Sequence, residues 1–381
     1  MENKKHLLKT ACNRNRILLI MTAIILNLPL YAIEISVSNF ANLQAAIKEF
    51  NDSATENTTI VVDASFDITG ALSITNANYA LTITSDATIR TLMRTEELTG
   101  SIIVVGGDAK LILENIIIDG NSPVVVNSGA LVRVGNRGTL TINNGAVIQN
   151  NNNDNTYGSG VTVSSGTLIM TGGAIRDNSC LYNIGAGIYA SGSSVFTMTG
   201  GTVSGNAAQT GGGIYFGGTN SVFTMTGGTI SDNEAKVGGG VYFGGTGSVF
   251  TMAGGTISGN EAKVGGGVAF GGASVTLAMT DGDRTLNLGG TAVIKDNTRG
   301  PGVDTPHSNL YLANERYITL GTGADGNGIA LPAVSMETWV QTATASGVIV
   351  ISDATAANVI LFRSDESDKI VSHDNGQLVI R

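Results

Sequence analysis

Apart from His6 near its start, the chain has two histidines, His307 and His373, and its least repetitive acidic stretch sets Asp281 and Asp283 beside Arg284. Catalytic bond cleavage needs a unique group of this kind: paired carboxylates for hydrolysis, or acids that hold Ca²⁺ plus a base for elimination. Asp281, Asp283 and Arg284, with His307, are the one such candidate, and a solvated turn is the plainer reading of them. Tyr189, Tyr215 and Tyr242 offer a different chemistry, that of contact. They recur at almost equal intervals, and exposed aromatic rings repeated at sheet spacing stack on sugar rings or on partner side chains. The alternative is that tyrosine suits a strand and half-covers its own neighbours. Thr-x-Thr pairs at 139–141, 197–199 and 224–226 form a third pattern, because flat threonine ladders order water, but Ala253 interrupts that column.

What would hold these residues in line is a repeat. Met198, Met225, Met252 and Met279 are evenly spaced, and Asn206, Asn233 and Asn260 keep the same step. Near-copies lie between them, SVFTMTGGTISDNEAKVGGGVYFGG and SVFTMAGGTISGNEAKVGGGVAFGG. The unit fades upstream but persists to Asn178, Asn150 and Asn121, and the interval between successive Asn lengthens only slightly on the way. A unit of about 27 residues reads as a solenoid, in which each turn buries its apolar side only against its neighbours.

Inside the unit apolar and polar residues alternate, which is the period of a strand. Three short strands per unit, separated by Gly-Gly and Asn corners where positive φ is cheap, predict an all-β fold. Its form is a single-stranded right-handed parallel β-helix, a three-sheet solenoid whose coils sit about 4.8 Å apart. Phe196, Phe223 and Phe250 are expected to form one interior stack, the four methionines another, and Val203, Ile230 and Ile257 a third. Asn178, Asn206, Asn233 and Asn260 should superpose at a corner as a structural ladder, their amides bonding from coil to coil. No two neighbouring coils carry Asp just before that Asn, the pattern of a stack that avoids like-charge repulsion. The NEAK segments place Glu over Glu and Lys over Lys on an ordinary solvated face.

Residues 1–32 read as a targeting segment (signal peptide). Lys4, Lys5, Lys9, Arg14 and Arg16 precede the apolar run from Ile17 to Leu28, and cleavage is expected after Ala32. A retained anchor is the alternative, although the run is short for a membrane span. Cleavage would take the formal net charge from −9 to −13, which argues against a nucleic-acid partner. It would also leave Cys180 as the single cysteine, with no internal disulfide to form. Residues 33–100 are assigned to an N-terminal cap and first coils, 101–300 to the regular repeats, and 301–381 to irregular coils and a C-terminal cap. In FANLQAAIKEF, Phe40, Leu43, Ile47 and Phe50 share a helical face, which predicts a short capping helix over the open strand edge. The interval from Met279 to Asn297 is more than twice that from Met225 to Asn233, so an insertion is expected around DGDRTLNLGG. Trp339 is expected to seal the far end.

The cap helix, the LTITS strand, LVRVGNRGTLTINNGA and the GGGV and ISGN repeats resemble secreted bacterial β-helix repeat proteins of the pectin-lyase-like superfamily. The pair GGGI and ISDN, at 211–214 and 230–233, is similar to the GGAI and FxxN tetrapeptides of chlamydial polymorphic outer membrane proteins, which are adhesins. The resemblance covers roughly residues 35–380. Ile stands where the second element has Phe, and no membrane barrel follows the repeats. The expectation is a secreted or cell-surface, outer-membrane-associated protein with an adhesin-like interaction or structural role. Its partner would be a glycan or a host or matrix surface protein, and the reading assigns no catalytic residue, metal ligand or cofactor. Membrane association would run only through an uncleaved signal or another anchor. A polysaccharide lyase or glycoside hydrolase of the superfamily is the alternative, disfavoured by near-identical coils and by the lack of a Gly-His-Gly motif; an ice-binding protein is the third reading.

Overall fold

The computed structural model describes residues 33–126, 129–135, 137–271, 284–300, 307–312, 318–320, 337–342, 347–350 and 354–381. The expected targeting segment, Met279, Asp281, Asp283 and the side chain of Trp339 lie outside the described residues.

Alternation produces the strands, and the strands stack in parallel. One sheet has eleven, running from Ile33–Val37 to Ile318–Leu320. Two further ladders run beside it, one from Leu72–Ile74 to Leu310–Leu312 and one from Phe66–Ile68 to Val293–Ile294. Strand Glu337–Thr342 pairs with the last member of both. The molecule is an all-β parallel solenoid of about nine turns.

Register puts like on like inside. Phe196, Phe223 and Phe250 are consecutive partners, with ring centroids 4.6 and 4.5 Å apart and planes within 8°. A second aromatic column, Phe216, Phe243 and Phe270, enters from the next ladder at 5.7 and 5.5 Å spacing. The two columns touch at 5.8 Å. All six rings are no more than 1 % exposed, and burying each contributes about 1.5–3 kcal/mol. The third glycine of each GGG is required for another reason. A Cβ on Gly213 would lie 2.6 Å from the Gly240 carbonyl oxygen, and one on Gly240 would lie 2.6 Å from that of Gly267, so coils meet here backbone to backbone.

Two expectations change. Met170, Met198, Met225 and Met252 stack, but Leu288 holds the next rung, so the added residues lie between Phe270 and Thr285. The interval from Leu288 to Asn297 is one residue longer than that from Met225 to Asn233, and the ruler is nearly intact once this rung is used. SVTLAM imitates the repeat by composition, whereas TLNLGG continues it in register. Central coils also carry a fourth strand rather than three. Ser179–Ile184, Ala207–Thr210, Glu234–Val237 and Glu261–Val264 form a separate parallel sheet on the outside of the solenoid. AAQT and the two EAKV segments are too polar to read as strands, and pairing with the neighbouring coil is what makes them so.

Both ends are covered. Helix α1, Phe40–Ser53, starts at Asn39, whose side chain accepts from the Asn42 N–H, and buries Leu43, Ala46, Ile47 and Phe50. At the other end a short 3-10 helix, Ala356–Leu361, falls in the chain between the first two strands of an antiparallel three-stranded sheet of Gly347–Val350, Val371–Asp374 and Gln377–Ile380.

Candidate functional site

Tyr189, Tyr215 and Tyr242 do stack outward from the solenoid, at 5.5 and 5.0 Å between rings. They are not an exposed ladder. Tyr215 and Tyr242 are only 8 % and 2 % exposed, and Tyr189 is half-buried. The reason lies in the glycines that follow. A Cβ on Gly244 would come 2.6 Å from the Tyr242 ring, and Gly217 stands to Tyr215 in the same way, so each ring lies flat across bare backbone. The outer sheet then closes over them. Val237 packs with Tyr215, Tyr242 and Ala269, and Ile184, Val264 and Tyr189 flank this cluster. Burial raises the Tyr215 and Tyr189 phenols above their ordinary range, so these rings are neutral packing that fastens the outer sheet to the solenoid.

The stack opens only at its N-terminal end. Tyr157 lies on Tyr189 at 5.2 Å and is 54 % exposed. Buried Asn153 ties its loop. The Asn153 Nδ2 donates to the Gly158 carbonyl at 2.5 Å and to Thr156 Oγ1 at 2.8 Å, and its Oδ1 accepts from the Thr156 N–H at 3.2 Å. The next coil brings the edge strand Ser179–Ile184 alongside. Cys180 pairs with Ala208 but Ile184 pairs with Thr210, so two residues more are fitted into this strand than into its partner. The bulge throws out Leu181 and Tyr182, 52 % and 76 % exposed. Asn183 Nδ2 donates to the Asp154 carbonyl at 2.6 Å, joining bulge to loop. Cys180 is buried beneath, and desolvation, then the Asp154 charge, pushes its thiol up to about 12. Sequence reading did not single out Tyr157, Leu181 or Tyr182. The usable signal was the coil in which the adjacent apolar pair Leu181 and Tyr182 breaks strict alternation.

Asn178, Asn206, Asn233 and Asn260 form one chain of hydrogen bonds, each no more than 1 % exposed. Each donates its backbone N–H and its Nδ2 to the Oδ1 of the next, at 3.1 and 3.0 Å for Asn178 to Asn206 and 3.1 and 2.8 Å for Asn233 to Asn260. The chain begins at Asn151 rather than at Asn150. Asn150, at φ 55°, instead holds the left-handed position that Asp177, Gly205, Asp232 and Gly259 hold in later coils, a conformation that favours Gly, Asn and Asp. A Cβ on Gly259 would come 2.8 Å from Asp232 Oδ1. A carboxylate lying over one coil leaves the next room for glycine, so shape and backbone conformation produce the alternation expected from charge repulsion.

The ladder continues through Asn297 and Asn309 to the carboxylate of Asp365. Burial raises the Asp365 carboxyl above its usual range, while its bonds from Asn309 and the charges of His307 and Arg299 pull the other way. His307, Arg363, Asp365, Glu366 and Lys369 line a cavity of about 400 Å³ here. Arg284 has other neighbours: its Nε donates to the Gly244 carbonyl at 2.8 Å, beside the tyrosine column. His307 and Arg284 therefore serve separate surroundings. Among the described residues no three His, Cys, Asp or Glu groups converge as metal ligands would, and no helix is long and apolar enough to cross a membrane.

The outward column Thr141, Ile169, Thr197, Thr224 and Thr251 of the eleven-stranded sheet carries no charge, and Thr251 at its end is buried. Asn287 follows, its Nδ2 donating to Thr251 Oγ1 at 3.1 Å. Comparison with protein-family models, curated proteins and solved structures found no match to the chain.

Proposed function

We propose that this chain is a secreted or cell-surface β-helix repeat protein, adhesin-like or structural, that carries out no catalysis. The observation behind this reading is repetition. Outward residues recur in register through consecutive coils, Thr202, Thr229 and Thr256 on one face and Thr197 and Thr224 on another. A repeated surface suits many weak equivalent contacts that sum by avidity, whereas cleavage chemistry needs one convergent set of unlike groups. The excess of acidic residues, net −9, favours neutral or basic partners. Membership of the pectin-lyase-like superfamily belongs to the same proposal and rests on the GGGV, ISGN and LTITS patterns. An array of glycans and matrix proteins probed with residues 33–381 tests it. Saturable binding is expected; a blank array at every concentration would remove adhesion and leave a structural role.

A second reading, a polysaccharide lyase or hydrolase, draws support from the cavity lined by His307, Arg363, Glu366 and Lys369. Incubation with pectins and other acidic glycans, followed by assay for unsaturated or reducing ends, separates the two. Turnover that disappears in His307→Ala would replace the first reading with this one.

A further inference from the structure

We propose that the loop at 153–158 and the bulge at 180–184 together form a binding platform for a neutral saccharide. This rests on the interaction role argued above and assigns it a place and a ligand class.

The aromatic part is Tyr182 and Tyr157, with half-exposed Leu181 preceding Tyr182 in the bulge. Tyr182 is 76 % exposed and Tyr157 54 %, while the rings that follow Tyr157 in its stack are half-buried at Tyr189 and buried at Tyr215 and Tyr242. An exposed tyrosine offers an apolar face and a polar hydroxyl, which complement the C–H face and the hydroxyls of a sugar ring. The polar part comes from the same two loops. Asp154 and exposed Asn155 precede Tyr157 in its loop, and the Asn183 amide lies next to Tyr182. Carboxylates and amides supply the acceptors and donors that sugar hydroxyls require.

Charge selects the class of ligand. Asp154 is the only charged residue from 151 to 175, and none occurs from 178 to 231. An acidic glycan would meet a carboxylate here with no cation on either loop, so the platform fits a neutral one. Size points the same way. A stable protein partner needs about 20–30 residues a side, and this patch offers a handful.

The platform is also held before any ligand arrives. The Asn153 bonds fix the loop, Tyr189 supports the Tyr157 ring from below, and the Asn183 to Asp154 bond joins the two halves. Preorganisation lowers the ordering cost of binding. The bulge is the means of exposure, since such insertions re-aim side chains out of a regular ladder. The equivalent strands Ala207–Thr210, Glu234–Val237 and Glu261–Val264 are shorter and have no such projection.

The test is calorimetry and array binding of residues 33–381 with neutral oligomers of glucose, mannose, galactose and N-acetylglucosamine, with oligogalacturonate and matrix proteins as separate arms. Saturable binding of at least one neutral series is expected, weakened tenfold or more by Tyr182→Ser with an unchanged circular dichroism spectrum and melting temperature. Tyr157→Ser should weaken it too; if that variant fails to fold, Tyr182→Ser, exposed and outside the ring stack, carries the test. Neutral-sugar binding that survives Tyr182→Ser, or a preference for oligogalacturonate, would overturn the platform. Binding to matrix proteins only would overturn it while leaving the interaction role standing, and a blank in every arm would remove both.

Discussion

Asn309 gives its backbone N–H to one carboxylate oxygen of Asp365 at 2.8 Å and its side-chain Nδ2 to the other at 2.7 Å, although the two residues are far apart in the chain. The same two donors on Asn178, Asn206, Asn233 and Asn260 go to a single amide oxygen of the next rung. The rung-to-rung bonds all run toward the C-terminal end, so the amides polarise one another in a single direction. Asp365 receives that series with an acceptor-only group, only 3 % exposed.

This arrangement makes stability depend on pH in a stated direction. Burial raises the folded-state value of Asp365, so the folded protein binds the extra proton above the ordinary aspartate range and loses stability as pH rises through that interval. Asp365→Asn keeps one oxygen that can take both Asn309 donors, as on every other rung. The variant is therefore expected to gain on the wild type between about pH 4 and pH 7. Urea denaturation of both proteins at the two pH values measures this, and parallel pH profiles would contradict it.

Asn233→Ala interrupts the ladder in its middle. Asn206 loses the acceptor for two donors, and the Val203 carbonyl and Asn260 Oδ1 lose a donor. Buried groups left unpaired in this way cost about 1–3 kcal/mol each, so a loss of at least about 3 kcal/mol is expected. Because a solenoid couples nearest neighbours, amide hydrogen exchange should accelerate first in the coils touching residue 233. Uniform acceleration along the chain would mean that the coils unfold as one unit.

Replacing Tyr215 and Tyr242 by Ser should act on packing. Both rings lie under the outer sheet, so the double variant is expected to expose Glu234–Val237 and Glu261–Val264 to protease while the eleven-stranded sheet persists. Limited proteolysis with mass spectrometry would locate the cuts. Undiminished protection of those strands would show that the tyrosines do not hold them.

Cys180 should be chemically silent in the folded protein. It is buried, with its thiol pushed up to about 12, and the thiolate is the reactive form. At pH 8 a maleimide should leave the peptide containing Cys180 unlabelled until denaturant is added. Fast native labelling would mean that the bulge at 180–184 opens.

The coil was legible in the sequence because its constraints are periodic: Phe223 must lie on Phe196, and a single repeat interval reveals every such column. What escaped was set by contacts between segments that carry no period. Tyr242 alternates like an outward residue and does point outward, yet a second layer covers it, and EAKV gives no sign of strand until the coil above pairs with it. SVTLAM misplaced the insertion, since composition and register are separate properties and only the pairing of Met252 with Leu288 tells them apart. Asn150 and Asn151 differ by one position in a run of asparagines, where backbone conformation alone assigns the ladder. Asp365 lies well beyond Asn309 in chain with no repeat, so nothing in the spacing announced it.

Amide columns that stack like on like can recruit identical molecules end to end, as cross-β fibrils do. In this chain growth in that manner meets a stop. At the C-terminal corner both donors of the last rung, Asn309, already go to Asp365, so neither is left to meet the first acceptor of an incoming molecule. The carboxylate thereby closes the ladder within the molecule.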